Sequence, residues 1–563
     1  VREGAVAARL LNPTMTTLDE EPTAHDVRKN EALGLWDRRG LPDILVEKAL
    51  AAPDRELIVD TRSRLSYGDV AEQVDRAAEG LRRLGIGPKQ CVLVQAPNWA
   101  ETVIVNLALE ALRAVAVPLP PMFREREIRY IAKLTGATAA VIAPRFGNFS
   151  HVELYASLRP ELPALRHVIV LGKGDDVPAG AVAWDALLEH RSSAGWKAGF
   201  DTDPNVVTEI GFTSGSTGDP KGAVHTSNTL SAEHLTWARA HQLGPDDVFF
   251  IPSTIGHQLG YSVMRAAILM GGKMLLVDRW EPEACTERMW TEGATFTITT
   301  PAFLFDLLRT KALAAHGTLP KMRVWVLAGQ VVTSELHKES TTKLPHVRFG
   351  RQFGMTEIGS MIVNNMLGPP DKEMATGLIQ PGAELRVLDE AMHDVPAGET
   401  GELVLRAPSL FYGYLGRRDL TDQCYTAGGF FRTGDEVRVD ADGWVFVTGR
   451  IKDLIKRGGE SVSPAELEDI LSGHAKLRDV AVVGIPDERL GERICVCVVP
   501  NEGETLTLEE LVATVSAAGV ARQKWPEKLV VLAELPRTSI GKVHKAVLRD
   551  IAVRALAKQA DAT

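Results

Sequence analysis

The sequence predicts an α/β fold: a large N-terminal domain of doubly wound parallel sheets, then an antiparallel β subdomain, then a small α+β C-terminal domain. Three observations predict it. The 563 residues exceed what one hydrophobic core usually serves. From about Leu41 to Pro345, helical patterns alternate with short β-branched runs, and such alternation means crossover units and parallel sheets covered on both faces. Past Gly382 the pattern changes to strands punctuated by Gly, Pro and Asp turns.

Residues up to about Asp26 read as disordered, with Met15 a candidate start, and 1–40 as an N-terminal arm. Cys91–Gln95, 115–118, Ala139–Ile142, 167–171 and 274–277 read as strands of the parallel sheets. The run 206–212 is a further strand. A helix is expected from Ser227 or Asn228, either a suitable N-cap, with Leu230, Trp237 and Ala238 at i, i+7 and i+8 on its inner face. Glu384–Leu388, 401–406, 436–439 and 444–447 form the antiparallel set. A boundary falls near Gly449-Arg450-Ile451-Lys452-Asp453. Beyond it, Ser463-Pro464-Ala465-Glu466 reads as a capping box with Pro at the first helical position, ahead of Leu467, Ile470 and Leu471. A second box, Thr507-Leu508-Glu509-Glu510, opens a helix with Leu511, Val512 and Val515 inward.

Net charge is −10, from 63 basic and 73 acidic residues, so there is no global attraction for nucleic acid or an anionic membrane. Any nucleotide must be held by local groups. The five cysteines are too few and too scattered for a disulfide framework, and no C-x-x-C pair suggests zinc. Cys495 and Cys497 alternate along a strand at 494–499 and read as packing residues. Arg9 interrupts the short apolar run near the N-terminus, and no stretch approaches the roughly 20 apolar residues of a membrane span, so neither a signal peptide nor a transmembrane helix is predicted. A reducing cytoplasm fits.

The most informative stretch is Phe212-Thr213-Ser214-Gly215-Ser216-Thr217-Gly218-Asp219-Pro220-Lys221-Gly222. Its glycines let backbone N–H groups turn inward, and with the Thr and Ser hydroxyls they can donate to several phosphate oxygens at once. It is not a GxxxxGK[ST] loop, because Lys221 lies between Pro220 and Gly222. A loop of this composition suits a polyphosphate.

Further segments follow in order: Gln352-Phe353-Gly354-Met355-Thr356-Glu357, Phe431-Arg432-Thr433-Gly434-Asp435, the boundary segment, Lys456-Arg457-Gly458-Gly459-Glu460, and Leu535-Pro536-Arg537-Thr538-Ser539-Ile540-Gly541-Lys542. Together they resemble the adenylate-forming superfamily of acyl- and aryl-CoA synthetases, peptide-synthetase adenylation domains and luciferases, over roughly Leu41 to Asp550. Pro120–Glu127 and His257-Gln258-Leu259-Gly260 look most like cyclohexanecarboxylate-type and short/medium-chain acyl-CoA ligases, with carrier-loading aryl-acid AMP ligases second.

The resemblance implies a large adenylation domain at 41–450, made of two doubly wound α/β subdomains plus the antiparallel one, and a mobile small domain at 451–563. It implies a ping-pong reaction. A small carboxylic acid attacks the α-phosphate of Mg·ATP, pyrophosphate leaves, and a thiol takes the acyl group from the adenylate. The thiol is that of CoA or of a carrier-protein phosphopantetheine. Thr213, Ser214, Gly215, Ser216, Thr217, Gly218 and Lys221 are expected to hold the β- and γ-phosphates. Glu357 is a hard oxygen ligand for Mg2+. Phe353 offers a flat face to adenine, with Gln352, Gly354, Met355, Gly329 and Gln330 around it. Thr356 has its hydroxyl near the α-phosphate, Asp435 accepts from the ribose hydroxyls, and Arg450 supports the same sugar. Lys542 is expected to bridge the carboxylate and the α-phosphate.

After adenylation the small domain is expected to swing about Lys452, a hinge that need only absorb a backbone change. The swing presents Gly458 and Gly459 to the thiol tunnel. The acyl pocket is expected around His257, Gln258, Tyr261, Thr300 and Pro301. The chain departs from the family pattern at Gly329-Gln330-Val331-Val332, where relatives usually carry Gly-Gly/Ala-x-Pro. The departure is expected to make the pocket wall bulkier and add an amide, favouring a compact alicyclic, aromatic or short/medium-chain acid. A nitrogen nucleophile, nitrite activation and an inactive nucleotide-binding regulator remain as alternatives, and both a monomer and a homodimer remain open.

Overall fold

Runs that are apolar on both faces build the two large sheets. Cys91–Gln95, Val115–Leu119, Ala139–Ile142 and Val324–Ala328 are buried at every position, as parallel strands covered by helices on both sides must be. The computed structural model describes residues 27–172, 177–213, 220–330, 332–457, 460–487, 489–538 and 541–561. In the seven-stranded sheet, Cys91–Gln95 lies between Val115–Leu119 and Ala139–Ile142, all parallel. In the nine-stranded sheet, Phe296–Thr299, Val324–Ala328 and Arg348–Met355 run parallel and adjacent. Both sheets acquire antiparallel strands toward their edges: Lys221–Thr226 in the first, Arg64–Ser66 at one end of the second and Gly359–Asn364 with Leu378–Ile379 at the other.

The strand Lys221–Thr226 differs from the sequence reading, which placed a helix after the glycine-rich loop with nothing between. Thr213 pairs with Lys221 across the ladder, so the loop joins two antiparallel strands. The helix that follows, Ser227–Ala240, is capped one residue earlier than expected. Thr226 accepts from the Thr229 amide in a capping box. Ser227 and Asn228 are drawn away by other partners: Ser227 Oγ donates to Glu110, and Asn228 bonds the Asp37 backbone. Leu230, Trp237 and Ala238 are fully buried as expected.

Glu384–Leu388, Thr400–Arg406, Phe431–Val439 and Val445–Arg450 form a four-stranded antiparallel sheet. Its third strand starts at Phe431, earlier than the 436–439 read from sequence, so the Phe431–Asp435 motif is part of the ladder. Cross-strand register then sets Asp435 opposite Arg450.

The last unit is a five-stranded sheet around Gly491–Pro500. Strand alternation sorts its two faces. Val482, Ile494 and Val496 pack with Leu467 and Leu511, while Cys495 and Cys497 pack with Val483, Leu548 and Ala552 on the other side. The Thr507 capping box forms as read, although Val512 is only half-buried. The Ser463 box does not form. Its hydroxyl donates instead to the Thr448 carbonyl.

Of the N-terminal arm, residues 27–40 pack on the large domain. Leu35 and Trp36 are buried, and Trp36 Nε1 donates to the Pro408 carbonyl at 3.1 Å. The residues up to Asp26 lie outside the described structure. No helix among the described residues is long and apolar enough to cross a membrane.

Candidate active site

The carboxyl ends of neighbouring parallel strands collect the site, as they do for ligands of open α/β sheets generally. Thr300 and Pro301 follow Phe296–Thr299, Gly329 and Gln330 follow Val324–Ala328, and Gln352 to Glu357 close Arg348–Met355. Thr213 ends its own strand, directly opposite Lys221. Ser214, Gly215, Ser216, Thr217 and Gly218 lie outside the described residues, as do Gly458 and Gly459.

Thr356 and Glu357 are held from behind by unrelated parts of the chain. His225 Nε2 donates to the Thr356 carbonyl at 2.7 Å, and the Phe411 amide to the Glu357 carbonyl at 2.8 Å. Ser409 Oγ donates to the Ile358 carbonyl at 2.5 Å. The buried Glu357 carboxylate accepts from the Tyr414 hydroxyl at 2.6 Å. The same Tyr414 ring lies under the Lys221 ammonium, 4.9 Å from its centroid, within cation–π range. One aromatic side chain therefore touches both the metal-ligand candidate and the phosphate-loop lysine. Sequence reading missed Tyr414 and His225; the aromatic run 411–414 amid polar turns was the available signal for Tyr414.

Asp435 is 3% exposed, and Arg450 Nε lies 2.7 Å from its Oδ1. Burial pushes its carboxyl up to about 6, a rise that Arg450 and Lys542 oppose. Its Oδ2 has no partner. Both amide atoms of Gln258, Thr300 Oγ1, Gln352 Oε1 and the Glu209 Oε2 are likewise buried and unpartnered. Buried polar atoms are nearly always satisfied in a folded protein; other exceptions are scattered through the described residues, and those of Asp435, Thr300 and Gln352 fit polar ligands. Gln352 Nε2 donates to Ser360 Oγ at 3.1 Å. Phe353 and Met355 are half-buried at the edge of the antiparallel-sheet core, with Gly354 between them.

The helix Gln258–Met270, capped by His257, carries Gln258 and Tyr261 of the expected acyl pocket, and a buried ion pair anchors it. Arg265 Nη1 lies 2.7 Å from Glu110, and Nη2 donates to Ser227 Oγ at 2.8 Å. Tyr261, one turn after Gln258, is 2% exposed. Burial and then the Lys542 charge push His257 down to about 4, so its ring is neutral at neutral pH.

Lys542 reaches this site from the small domain. A Cβ added at Gly329, whose φ is 80°, would sit 3.3 Å from Lys542 Cε and 3.8 Å from Thr300 Cγ2. Burial holds the Lys542 ammonium below its ordinary range, with Arg450 adding to the effect and Asp435 opposing it. Lys452 lies on the short 3-10 turn Ile451–Asp453 between the last strand of the antiparallel sheet and the small domain. Gln330 does not simply add an amide to the acyl wall as the sequence suggested: its Nε2 donates to the Gly541 carbonyl at 3.1 Å.

Glu357 offers one carboxylate, partly engaged by Tyr414. No group of three or more His, Cys, Asp or Glu able to hold a metal occurs among the described residues. A divalent cation carried on substrate phosphates fits that donor set, because Mg2+ needs only one or two protein carboxylates when phosphates supply the rest.

Residues 45–415 match the AMP-binding enzyme family and 466–542 match the AMP-binding enzyme C-terminal domain. The chain is 31% identical over 527 residues to a medium-chain fatty-acid–CoA ligase of Escherichia coli, covering 93% of this chain and 92% of that protein. It is 33% identical over 536 residues to a salicyl-AMP ligase / salicyl-S-ArCP synthetase of Mycobacterium tuberculosis, covering 93% and 92%. The crystal structure of ATP-bound MatB from Rhodopseudomonas palustris superposes with a TM-score of 0.81 at 26% identity, covering 91% of this chain and 98% of that one.

Proposed function

The chain belongs to the AMP-binding enzyme family and is an adenylate-forming acid ligase, and we propose that it converts a compact carboxylic acid to its CoA thioester. The observation that carries the adenylation reading is that Lys542 of the small domain comes against Gly329 and Thr300 of the large one, near enough to the buried Asp435–Arg450 pair for its charge to act on Asp435.

In the proposed first half-reaction, Asp435 accepts from the ribose hydroxyls through its unpartnered Oδ2, and Arg450 keeps that carboxylate oriented. Thr213 and Lys221 draw the terminal phosphates to the end of their hairpin. Lys542 lies between the acid carboxylate and the α-phosphate. One carboxylate oxygen attacks α-phosphorus and the bond to the β-phosphate oxygen breaks. Pyrophosphate leaves with that electron pair. The ammonium of Lys542 meets the charge that builds on the α-phosphoryl oxygens, which is where a preorganised cation contributes most. Bound Mg2+, held by Glu357, would neutralise phosphate charge and orient the leaving group. In the second half-reaction the small domain turns about Lys452, Lys542 leaves, and a thiol attacks the acyl carbon to release AMP.

The bulk of Tyr261 and Met355 is expected to shorten the acyl tunnel, which favours a compact acid. A second acceptor, a carrier-protein phosphopantetheine, is favoured by the likeness to the salicyl-AMP ligase. A pyrophosphate-release screen across acids, with and without CoA, tests both readings. Cyclohexanecarboxylate, benzoates or hexanoate should outcompete palmitate and oleate in kcat/KM, and product should form only when CoA is present. A fatty acid exceeding all of them would reject the compact pocket. Adenylate that accumulates unchanged with CoA would favour the carrier.

A further inference from the structure

The Gly541 carbonyl accepts hydrogen bonds from both domains at once. Arg537 Nη1 of the small domain donates to it at 2.7 Å, and Gln330 Nε2 of the large domain at 3.1 Å. The loop that carries this oxygen is fixed by its own domain. Arg537 pairs with Val543 in an antiparallel bridge. The Thr538 amide donates to the Lys542 carbonyl at 2.7 Å, and the Gly541 amide to the Thr538 carbonyl at 2.9 Å. Gly541 has a φ of 79°, a conformation that glycine adopts without steric cost. The bonds that hold Arg537, Thr538 and Gly541 around Lys542 are therefore internal to the small domain. What the large domain must supply is the placement of the loop.

Gln330 bonds the residue immediately before Lys542, while the neighbouring Gly329 backbone lies against the Lys542 side chain. Another contact across the domains, from the Ser334 amide and hydroxyl to Asp469 at 2.9 and 3.2 Å, is exposed and does not involve the Lys542 loop. We propose that Gln330 is a positioning residue, a latch that seats the Lys542 loop for adenylation and releases it for acyl transfer. The proposal rests on Lys542 being the adenylation lysine. It also gives a role to the side chain that marks this sequence's departure from its family pattern, since its amide nitrogen is held on the Lys542 loop. A single neutral hydrogen bond suits a latch, because it changes the seated population only about fivefold and leaves the domain swing possible.

Gln330→Met keeps the length and bulk of the side chain and removes the donor, so it is the deciding variant. Its acid-dependent ATP–pyrophosphate exchange should fall about fivefold in kcat, with the KM for the acid unchanged. Conversion of supplied acyl-adenylate should be unimpaired. In the free enzyme, trypsin should cut the Lys542–Val543 bond faster than in wild type, with the site identified by mass spectrometry. An equal thermal midpoint in the two proteins would show that the variant folds. Unchanged exchange with unchanged cleavage would overturn the latch. So would a raised KM for the acid at constant kcat, because the amide would then face substrate. Wild-type enzyme lacking exchange with every acid would sink the functional reading instead, and the cleavage comparison would still decide the latch.

Discussion

Glu357 and Lys542 both serve the proposed reaction, and very different amounts of structure hold them. The loop carrying Glu357 is tied by His225, from a strand of the seven-stranded sheet, and by Ser409, Phe411 and Tyr414, from the segment between two strands of the antiparallel sheet. The loop carrying Lys542 is bonded within its own small domain and to the large one through Gln330. On the proposed reaction the difference is functional: nucleotide-binding groups serve throughout and are built into packed sheets, whereas the lysine needed for one half-reaction sits on an element that can leave.

The largest expected effect breaks the detachable side. Lys542→Ala should lower acid-dependent ATP–pyrophosphate exchange by several hundredfold, on the scale of removing one preorganised transition-state donor. Conversion of supplied acyl-adenylate should survive. Equal loss of both would show that the lysine serves both states, and the comparison would collapse. The hinge gives the mirror image. Proline at Lys452 fixes φ and restricts Ile451, so Lys452→Pro should still exchange pyrophosphate yet fail to transfer the acyl group. Thioester formation at the wild-type rate would contradict the alternation.

The fixed side can be sharpened through Tyr414. Tyr414→Phe keeps the ring beside Lys221 and removes the hydroxyl on Glu357, so the apparent affinity for Mg2+ should weaken about tenfold, as for a lost hydrogen bond to a charged group. The KM for ATP at saturating Mg2+ should hold. Tyr414→Leu should raise that KM as well. Titrating Mn2+ by electron paramagnetic resonance in the presence of a non-hydrolysable ATP analogue reads the first effect without turnover, and identical behaviour of the two variants would deny the ring its separate role.

The smallest effect concerns the scaffold behind the Glu357 loop. Burial pushes Glu233 up to about 8 from 4.5, although hydrogen bonds from Ser360 oppose the rise. The folded protein then keeps a proton that the unfolded chain releases. The stability this group contributes is intact below pH 4.5 and is lost as pH rises through about 8. Glu233→Gln should therefore raise the thermal midpoint at pH above 8 and leave it unchanged at pH below 4.5. A pH-independent shift would point to packing rather than to the proton.

The same contrast explains what was legible in the sequence. Strands such as Cys91–Gln95 and Ala139–Ile142 are read without error because full burial leaves a continuous apolar run. The strand Lys221–Thr226 escaped because it is polar at its start and paired to a partner beyond a glycine-rich loop. In the Ser463 box no capping bond forms, and the hydroxyl is turned to a tertiary acceptor, the Thr448 carbonyl, which no local pattern records. Motif residues such as Asp435 and Glu357 were named from the sequence. Their supports were not, because Tyr414, His225 and Ser409 are distant in the chain and come together only through the sheets. Gln330 was noticed as a departure, but the partner that consumes its amide lies 211 residues away.

The central claim, that this protein activates an acid by joining its carboxylate to the α-phosphate, is tested most directly with a substrate whose carboxyl oxygens are both isotopically heavy. Turnover of an accepted acid with ATP, followed by capture of the acyl group with hydroxylamine, breaks the adenylate at the acyl carbon and leaves the bridging oxygen on phosphorus. The account predicts one heavy oxygen in each AMP and none in pyrophosphate. Unlabelled AMP, or label appearing in inorganic phosphate beside ADP, would contradict it.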